Sequence, residues 1–290
     1  MDRTVTMKPG HAAPARLPDG PLAIPLGRAP RPLTESQRER HARTLLIHGI
    51  GEAGQERIAA ARVLVVGAGG LGSPVLQYLT AAGVGTILLS DPDRLDLSNL
   101  QRQVLHGEAN LGEVKSASAV ARLSGLNSDV ELIELPRITV EVLDALDPRP
   151  DLIVECSDTF ATKYLVGDWC QTSGVPLVLG TIVAGDWQVA VFWTQAPMPW
   201  PRVAWRDLHG APPPPGSVPG STEIGVFAPA VGQCASTMSA EAIKLLAGVG
   251  RPLLGRVAVG NAFRPTMQVL DHARPRADVP QADAQGEDRS

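Results

Sequence analysis

Glycines between an apolar strand and a helical pattern form the part of the sequence best suited to hold a phosphate. The stretch VLVVGAGGLGSPVLQYL covers residues 63–79, and its helix is predicted to begin near Leu71. Glycines allow a tight turn and let a phosphate approach the amide groups at the start of the helix. The pattern therefore predicts a nucleotide-binding loop. Its glycines are Gly67, Gly69, Gly70 and Gly72.

An acidic residue ends the next predicted strand, TILLSD. Asp91 follows Gly72 by 19 residues, which is a typical spacing for a carboxylate that hydrogen-bonds a ribose diol. Both NAD and ATP contain such a ribose. The glycine loop and Asp91 therefore do not distinguish NAD from ATP.

The segment after Asp91 carries three groups that can bind phosphates, on Asn99, Arg102 and Lys115. An amide, a guanidinium and an ammonium group suit a polyphosphate, and they can stabilise charge that builds on a phosphorus under attack. A dinucleotide needs fewer cations, because the helix N-terminus meets most of the charge of its pyrophosphate. Each of the three residues alone is weak evidence for a phosphate site, since most lysines and arginines lie on solvated surfaces.

The elements that must position these residues follow an alternating pattern. Apolar strands (RVLVVG, TILLSD, DLIVECSD and PLVLG) alternate with helical segments, which is typical of a parallel sheet covered on both faces. A helix over Val226–Leu246, stopping at Gly248, and two short strands, RVAVGNA and TMQVLDH, follow. We expect residues 34–273 to form one α/β domain.

The remaining segments are predicted to be irregular. Residues 1–33 are rich in proline and glycine, residues 274–290 are polar, and both are expected to be disordered. The proline-rich loop over residues 195–224 is too long to be expected in the core. It is a candidate lid or guide for a substrate tail, with an unstructured insertion as the alternative.

Composition excludes several function classes. The chain has 290 residues, 44% of them hydrophobic, and a net charge of -4, so it has no general attraction for nucleic acid or anionic membranes. No apolar run reaches the roughly 20 residues of a membrane span, and no signal peptide is expected. The three cysteines form no CxxC and the histidines show no ligand spacing, so no disulfide framework or structural metal is predicted. A cytoplasmic location is expected.

Six segments in a fixed order resemble the E1-like activating enzymes of the MoeB, ThiF and HesA type, which activate ubiquitin-like sulfur carriers. The resemblance covers about Glu39 to Leu270 and implies a Rossmann-like sheet extended by antiparallel strands, a homodimer, and the use of ATP with Mg²⁺. The segments are RHARTLLIHGIGEAGQERI, VLVVGAGGLGSPVLQYLTAAGVG, LLSDPDRLDLSNLQRQVLH, GEVKSASA, VECSDTFATKYLV and GVFAPAVGQCASTMSAEAIKLLAG.

The resemblance also implies a role for each matching residue. The four glycines form the phosphate-side loop, Asp91 holds the ribose, and Asn99, Arg102 and Lys115 bind the triphosphate. Arg43 matches an arginine that reaches across the dimer into the neighbouring site. Asp158 matches the magnesium-side aspartate, so the implied catalytic residues are Arg102, Lys115 and Asp158. Read locally, Asp158 is instead a candidate N-cap of the helix that follows it.

The sequence departs from zinc-bearing and cysteine-bearing relatives at several positions. Ala204 and Asp207 stand where the first CxxC pair of zinc-bearing members lies, and the second pair is missing, so a variant without zinc is expected. Ser221 and Thr222 stand where some relatives carry a cysteine in the crossover loop. The cysteines present are predicted to be buried, so adenylation without a covalent cysteine intermediate is expected. They are Cys156, Cys170 and Cys234.

The predicted function is ATP-dependent adenylation of the C-terminal carboxylate of a ubiquitin-like sulfur carrier whose tail ends in Gly-Gly. Pyrophosphate is released, and a separate sulfur donor would act afterwards. Three alternatives stay open. The protein could adenylate a peptide or a modified tRNA nucleoside, it could be an NAD-dependent oxidoreductase, or it could be a binding module that keeps the fold without catalysis.

Overall fold

The structure is a computed structural model that describes residues 26, 28–214, 216–218, 221–264 and 266–272. The disorder predicted for residues 1–25 and 274–290 concerns positions outside these ranges. Across the described ranges, no helix is both long and apolar enough to pass through a membrane.

Eight strands form one mixed sheet. In chain order they are Arg62–Val66 (β1), Thr86–Ser90 (β2), Glu131–Glu134 (β3), Leu152–Glu155 (β4), Leu177–Val183 (β5), Asp186–Phe192 (β6), Arg256–Asn261 (β7) and Thr266–Asp271 (β8). The spatial order is β3-β2-β1-β4-β5-β6-β7-β8. Strands β1 to β5 pair in parallel, and β5 to β8 pair antiparallel. The predicted α/β fold, with a parallel core and antiparallel C-terminal strands, is confirmed.

Helices surround this sheet. They are Glu35–Arg40 (α1), Ala42–Leu45 (α2), Gly51–Ala60 (α3), Gly72–Ala81 (α4), Lys115–Ser124 (α5), Val140–Asp144 (α6), Phe160–Ser173 (α7), Ser221–Ile224 (α8) and Ala228–Ala247 (α9). The predicted stripe on α4 is fully packed, since Leu71, Val75, Leu76 and Leu79 are all buried. Helix α9 ends at Gly248, which takes the left-handed conformation that glycine favours at a helix end.

The proline-rich loop over residues 195–224 differs from its prediction in its first half. Ala196, Trp200 and Val203 are buried in the core, and the Trp205 ring packs so closely on Gly167 that a side chain there would lie 2.6 Å from it. The expectation that this loop stays outside the core is therefore wrong for Ala196, Trp200, Val203 and Trp205, whereas Met198 between them is 80% exposed. Large aromatic area outweighs the proline content of the segment.

The N-terminal side of the domain also makes specific contacts. The Arg28 guanidinium donates to Asp151 at 3.0 Å, so the described part of the predicted extension touches the domain. Thr34 caps α1, and its side chain accepts from the amide of Gln37. This cap coincides with the predicted domain start at residue 34.

Candidate active site

A cavity of about 620 Å³ opens at the carboxyl ends of the central parallel strands. Its wall includes Val66 at the end of β1, Ser90 at the end of β2, and Cys156 just after β4. Open α/β sheets bind ligands in the crevice outside the carboxyl ends of their strands. The cavity therefore lies where this fold is expected to hold a small molecule.

The glycines divide into two groups with different physical roles. Gly67 has φ +97°, and a side chain there would press on the Cys156 backbone at 3.0 Å. A methyl group at Gly72 would lie 1.9 Å from the Gly67 carbonyl oxygen, so this position packs the helix onto the loop. Gly67, Gly69 and Gly70 line the cavity, whereas Gly72 does not. The first three leave backbone open to a ligand, and Gly72 fixes the turn.

Asp91 is held at the cavity wall by the glycine loop. One of its carboxylate oxygens accepts from the Ala68 amide at 2.8 Å, and the other accepts from the Asp93 amide at 3.1 Å. A carboxylate has about four acceptor positions, so each oxygen keeps one for a ligand hydroxyl. Burial raises the pKa of Asp91, while the positive charge of Lys115 opposes this shift.

Lys115 and Arg102 both line the cavity. The backbone at Asp93 accepts from the Lys115 amide at 2.8 Å, which docks the start of α5 on the segment after β2. The Lys115 side chain is only 10% exposed, and its ammonium lies 3.4 Å from the Asp93 carboxylate. Arg102 is half-buried and donates to the Ser98 carbonyl at 3.2 Å.

Arg137 also lines the cavity and was missed in the sequence. It follows β3, and its guanidinium lies 3.9 Å from the Asp93 carboxylate. The signal that could have found it is its position, because it stands just beyond the end of a parallel strand. The sequence of that strand, ELIE, has a charged residue at each end, so it was not recognised as a strand.

Besides Gly72, two predicted site residues are outside this cavity wall. Asn99 is absent from its wall, and the Asn99 side-chain oxygen accepts from the Asp96 amide at 3.3 Å within a short helical turn. Arg43 is exposed on α2 and is likewise outside the wall.

Asp158 lies on the cavity wall and is exposed. The local prediction that it caps α7 is wrong, because Thr159 occupies the N-cap position and accepts from the Thr162 amide at 3.3 Å. The Asp158 carboxylate is therefore not used for capping. Just behind it, buried Glu155 accepts from the Lys163 ammonium at 2.5 Å and from the Ser157 amide at 2.9 Å.

The cavity wall extends along β5 and β6 and includes the rings of Trp205 and His209, here called the aromatic arm. The His209 ring stacks on Trp205 with centroids 4.6 Å apart, whereas Trp187, also on the cavity wall, donates to Gln233 of α9 at 3.0 Å. Burial, together with the nearby charges of Lys163 and His272, lowers the pKa of His209 to about 4. The arm is therefore lined by rings that stay uncharged near neutral pH.

The three cysteines are buried, as predicted. Burial raises the pKa of Cys156 well above its ordinary value and raises the pKa of Cys234 to about 12. Burial also raises the pKa of Cys170. Nucleophilic attack requires the thiolate, so these thiols are poorly suited to a covalent step.

Asp158 and Asp93 place exposed carboxylates on the cavity wall, and carboxylate oxygens are ligands that Mg²⁺ prefers; the Asp93 carboxylate also lies 3.4 Å from the Lys115 ammonium. Magnesium is usually held by one or two carboxylates together with substrate phosphates and water. Both carboxylates lie on the wall of the same cavity as Lys115. Within the part of the chain that the structure describes, no three His, Cys, Asp or Glu side chains gather into a group able to hold a metal ion.

Comparison with known proteins agrees with this geometry. The ThiF family matches residues 41–281. The chain is 43% identical over 240 residues to the probable adenylyltransferase/sulfurtransferase MoeZ of Mycobacterium tuberculosis strain H37Rv, covering 82% of this chain but 61% of that protein. It is also 43% identical over 249 residues to the sulfur carrier protein adenylyltransferase of Thermus thermophilus, covering 85% of this chain and 92% of that protein.

A solved structure shares the fold. The crystal structure titled E. coli MccB + ATP superposes with a TM-score of 0.68 at 22% identity, covering 81% of this chain and 72% of that chain. At this identity the likeness concerns the fold alone. The extent of the family match and the identities to the curated relatives show that the chain belongs to the ThiF family.

Proposed function

We propose that this protein uses ATP to adenylate the C-terminal carboxylate of a ubiquitin-like sulfur-carrier protein and releases pyrophosphate. The observation that carries the proposal is a single cavity that brings together the glycine loop, Asp91, the cations Lys115 and Arg102, and Asp158. The name of the Thermus thermophilus relative, a sulfur carrier protein adenylyltransferase, supports the substrate class. NAD chemistry would not need this cluster of cations.

In the proposed complex, the ribose hydroxyls bind the free acceptor positions of Asp91. The phosphates lie over Gly69 and Gly70, where side chains are absent and the helix N-terminus favours anions. Lys115 and Arg102 neutralise phosphate oxygens, and Arg137 supplies a further cation at the edge of the cavity. Lys115 is nearly buried, so its charge acts through a medium that screens it less than water does.

The carrier carboxylate attacks the α-phosphorus, the bond from that phosphorus to the bridging oxygen breaks, and pyrophosphate leaves. A carboxylate is already a competent nucleophile, so no general base is required. The protein contributes positioning and stabilisation of the negative charge that develops on the phosphoryl oxygens. Asp158 would hold Mg²⁺, which would supply further charge neutralisation.

The aromatic arm is the proposed route for the carrier tail. Glycines have no side chains and can thread a narrow passage, so a Gly-Gly end would pass along the stacked rings of Trp205 and His209. All three cysteines are buried, which supports adenylation without a cysteine intermediate and a separate sulfur donor. The product is an acyl-adenylate released to that next step.

We also propose that the protein acts as a homodimer in which Arg43 enters the neighbouring site. Arg43 is exposed on α2, and the side chains of Leu46 and Ile47 that follow it are 76% and 52% exposed. Mixing an Arg43→Ala variant with a Lys115→Ala variant tests this idea, since a mixed dimer would contain one intact site. Recovery of activity on mixing supports the shared site, and no recovery from a verified mixed dimer contradicts it.

The main test measures carrier-dependent exchange of labelled pyrophosphate into ATP. Purified protein is incubated with Mg-ATP and a panel of sulfur carriers ending in Gly-Gly, with carriers lacking the last glycine as controls. Exchange that requires the intact tail is expected with at least one carrier. Measurable ATP binding with no exchange for any carrier would contradict the substrate class and favour a peptide or nucleoside acceptor. Binding of NAD with none of ATP would contradict adenylation itself.

A further inference from the structure

His106 connects the glycine loop to the helix that carries Lys115. One ring nitrogen, Nε2, lies 2.9 Å from the Ala68 carbonyl oxygen, and the other, Nδ1, lies 2.9 Å from the Ser118 hydroxyl. The ring is half-buried, and it is not part of the cavity wall. His106 therefore acts on the site only through the groups it holds.

The peptide groups around Ala68 are fixed from several sides. The Ala68 amide donates to Asp91 at 2.8 Å, and the Ala68 carbonyl accepts from His106 and from the Ser73 hydroxyl at 3.3 Å. Ser118 lies one helical turn after Lys115 on α5, so residues three apart share a face. A continuous chain of hydrogen bonds thus runs from the Asp91 carboxylate through Ala68 and the His106 ring to Ser118 on α5.

The partners of the ring decide its tautomer. A carbonyl oxygen can only accept, so Nε2 carries the hydrogen, and the neutral ring then accepts from Ser118 at Nδ1. Burial lowers the pKa of His106; the nearby charge of Asp91 acts against this shift, and the charge of Lys115 adds to it. Each ring nitrogen therefore makes one distinct bond, which substitutions can separate.

We propose that His106 is a positioning residue that locks the Ala68 carbonyl to α5 and so holds the ribose and phosphate parts of the site in a fixed relation. This inference rests on the proposed function, because the relation matters only if one nucleotide bridges both parts. The decisive bond is the one from Nε2 to Ala68, since it orders the loop on which the phosphates would lie. The bond to Ser118 orients the ring.

Two near-isosteric variants separate the bonds. The amide nitrogen of glutamine can replace Nε2, so His106→Gln is expected to keep the bond to Ala68. The shorter side chain of asparagine can replace Nδ1, so His106→Asn is expected to keep only the contact with Ser118. Ser118→Ala removes the orienting bond, and Ser124→Ala, at an exposed position on the same helix, serves as its matched control.

The first measurement is the equilibrium dissociation constant for Mg-ATP. His106→Ala and His106→Asn are expected to weaken binding by about 10-fold and His106→Gln by less than about 3-fold, the range of one net hydrogen bond. Exchange rates at saturating ATP should change little, because an ordered loop contributes to ground state and transition state alike. Equal affinities for the glutamine and asparagine variants would overturn the proposal.

The second measurement does not depend on nucleotide binding. Hydrogen exchange of the peptide covering residues 63–79 is expected to accelerate in the asparagine variant and to stay near wild type in the glutamine variant. Unchanged exchange in every His106 variant overturns the positioning role. Wild-type protein that binds no ATP would instead refute the proposed function, while hydrogen exchange would still decide whether His106 orders the loop.

Discussion

Removing the cation of Lys115 is expected to reduce adenylation by about 10²–10³-fold. The Lys115→Met variant keeps most of the apolar stem, so the packing at the start of α5 is preserved and the charge is lost. Lys115 lines the cavity, and its ammonium lies 3.4 Å from the Asp93 carboxylate. Two unit charges about 4 Å apart attract by about 4 kcal/mol at an effective dielectric constant of about 20.

That attraction is of the size needed for the expected loss, since each 1.4 kcal/mol corresponds to about a factor of ten. The assay is carrier-dependent pyrophosphate exchange at subsaturating Mg-ATP, where the rate includes the loss of both ATP binding and transition-state stabilisation, with melting temperature as the folding control. Arg122→Met is the matched variant, because Arg122 is exposed on the same helix and lies outside the cavity wall. An exchange rate in Lys115→Met within about threefold of wild type would refute the reasoning.

The same substitution has a second consequence at Asp91. Among the groups that keep the pKa of Asp91 from rising further, the charge of Lys115 has the largest effect. In Lys115→Met the carboxylate is therefore expected to take up a proton at higher pH than in the wild type. As the pH is lowered, ATP affinity should therefore begin to fall at a higher pH in Lys115→Met than in the wild type. Identical pH dependence in the two proteins would contradict the effect of the Lys115 charge on Asp91.

Three further predictions concern the loop, the aromatic arm and the cysteines. Gly72→Ala places a methyl group 1.9 Å from the Gly67 carbonyl oxygen, so we expect a loss of about 3 kcal/mol in unfolding free energy and weak ATP binding. Gly232→Ala, which meets no atom within 4 Å inside α9, is the control and should stabilise the fold by up to about 1 kcal/mol. Burial lowers the pKa of His209 from 6.5 to about 4, so the unfolded chain binds a proton that the folded chain excludes, and stability is lost as the pH falls between these values. His209→Phe should reduce that acid sensitivity in melting temperatures, and an unchanged pH profile would contradict it. Replacing all three cysteines by serine or alanine should leave adenylation largely intact, and selective loss of exchange in a folded variant would reverse our view of their role.

The sequence predicted those parts of the site that depend on local pattern. The glycine loop, Asp91 and the buried stripe of α4 all follow from the spacing of a strand, a turn and a helix. Lys115 and Asp158 were matched by resemblance, and the structure brings both to the cavity wall. These residues stand at strand or helix ends, where the topology of a parallel sheet decides their position.

Other parts depend on packing that pattern does not encode. Arg137 was missed because β3 has only partly buried residues at its centre and exposed ones at its ends. Asn99 carries the right chemistry, but its side-chain oxygen is engaged in a local cap. Trp200 and Trp205 are buried although they belong to a proline-rich segment. This burial was not predicted, because proline content indicates backbone freedom and not the aromatic area that a segment can bury.

The most direct test of the proposed reaction follows the α-phosphate and the γ-phosphate of ATP separately. ATP labelled at the α-phosphate or at the γ-phosphate is incubated with the protein and the carrier that supports exchange, and the carrier is then isolated. The α-label should appear on the carrier and disappear when its C-terminal carboxylate is blocked as an amide, while the γ-label should leave as pyrophosphate. Transfer of the γ-label to the carrier, or its release as orthophosphate with no α-label on the carrier, would contradict adenylation.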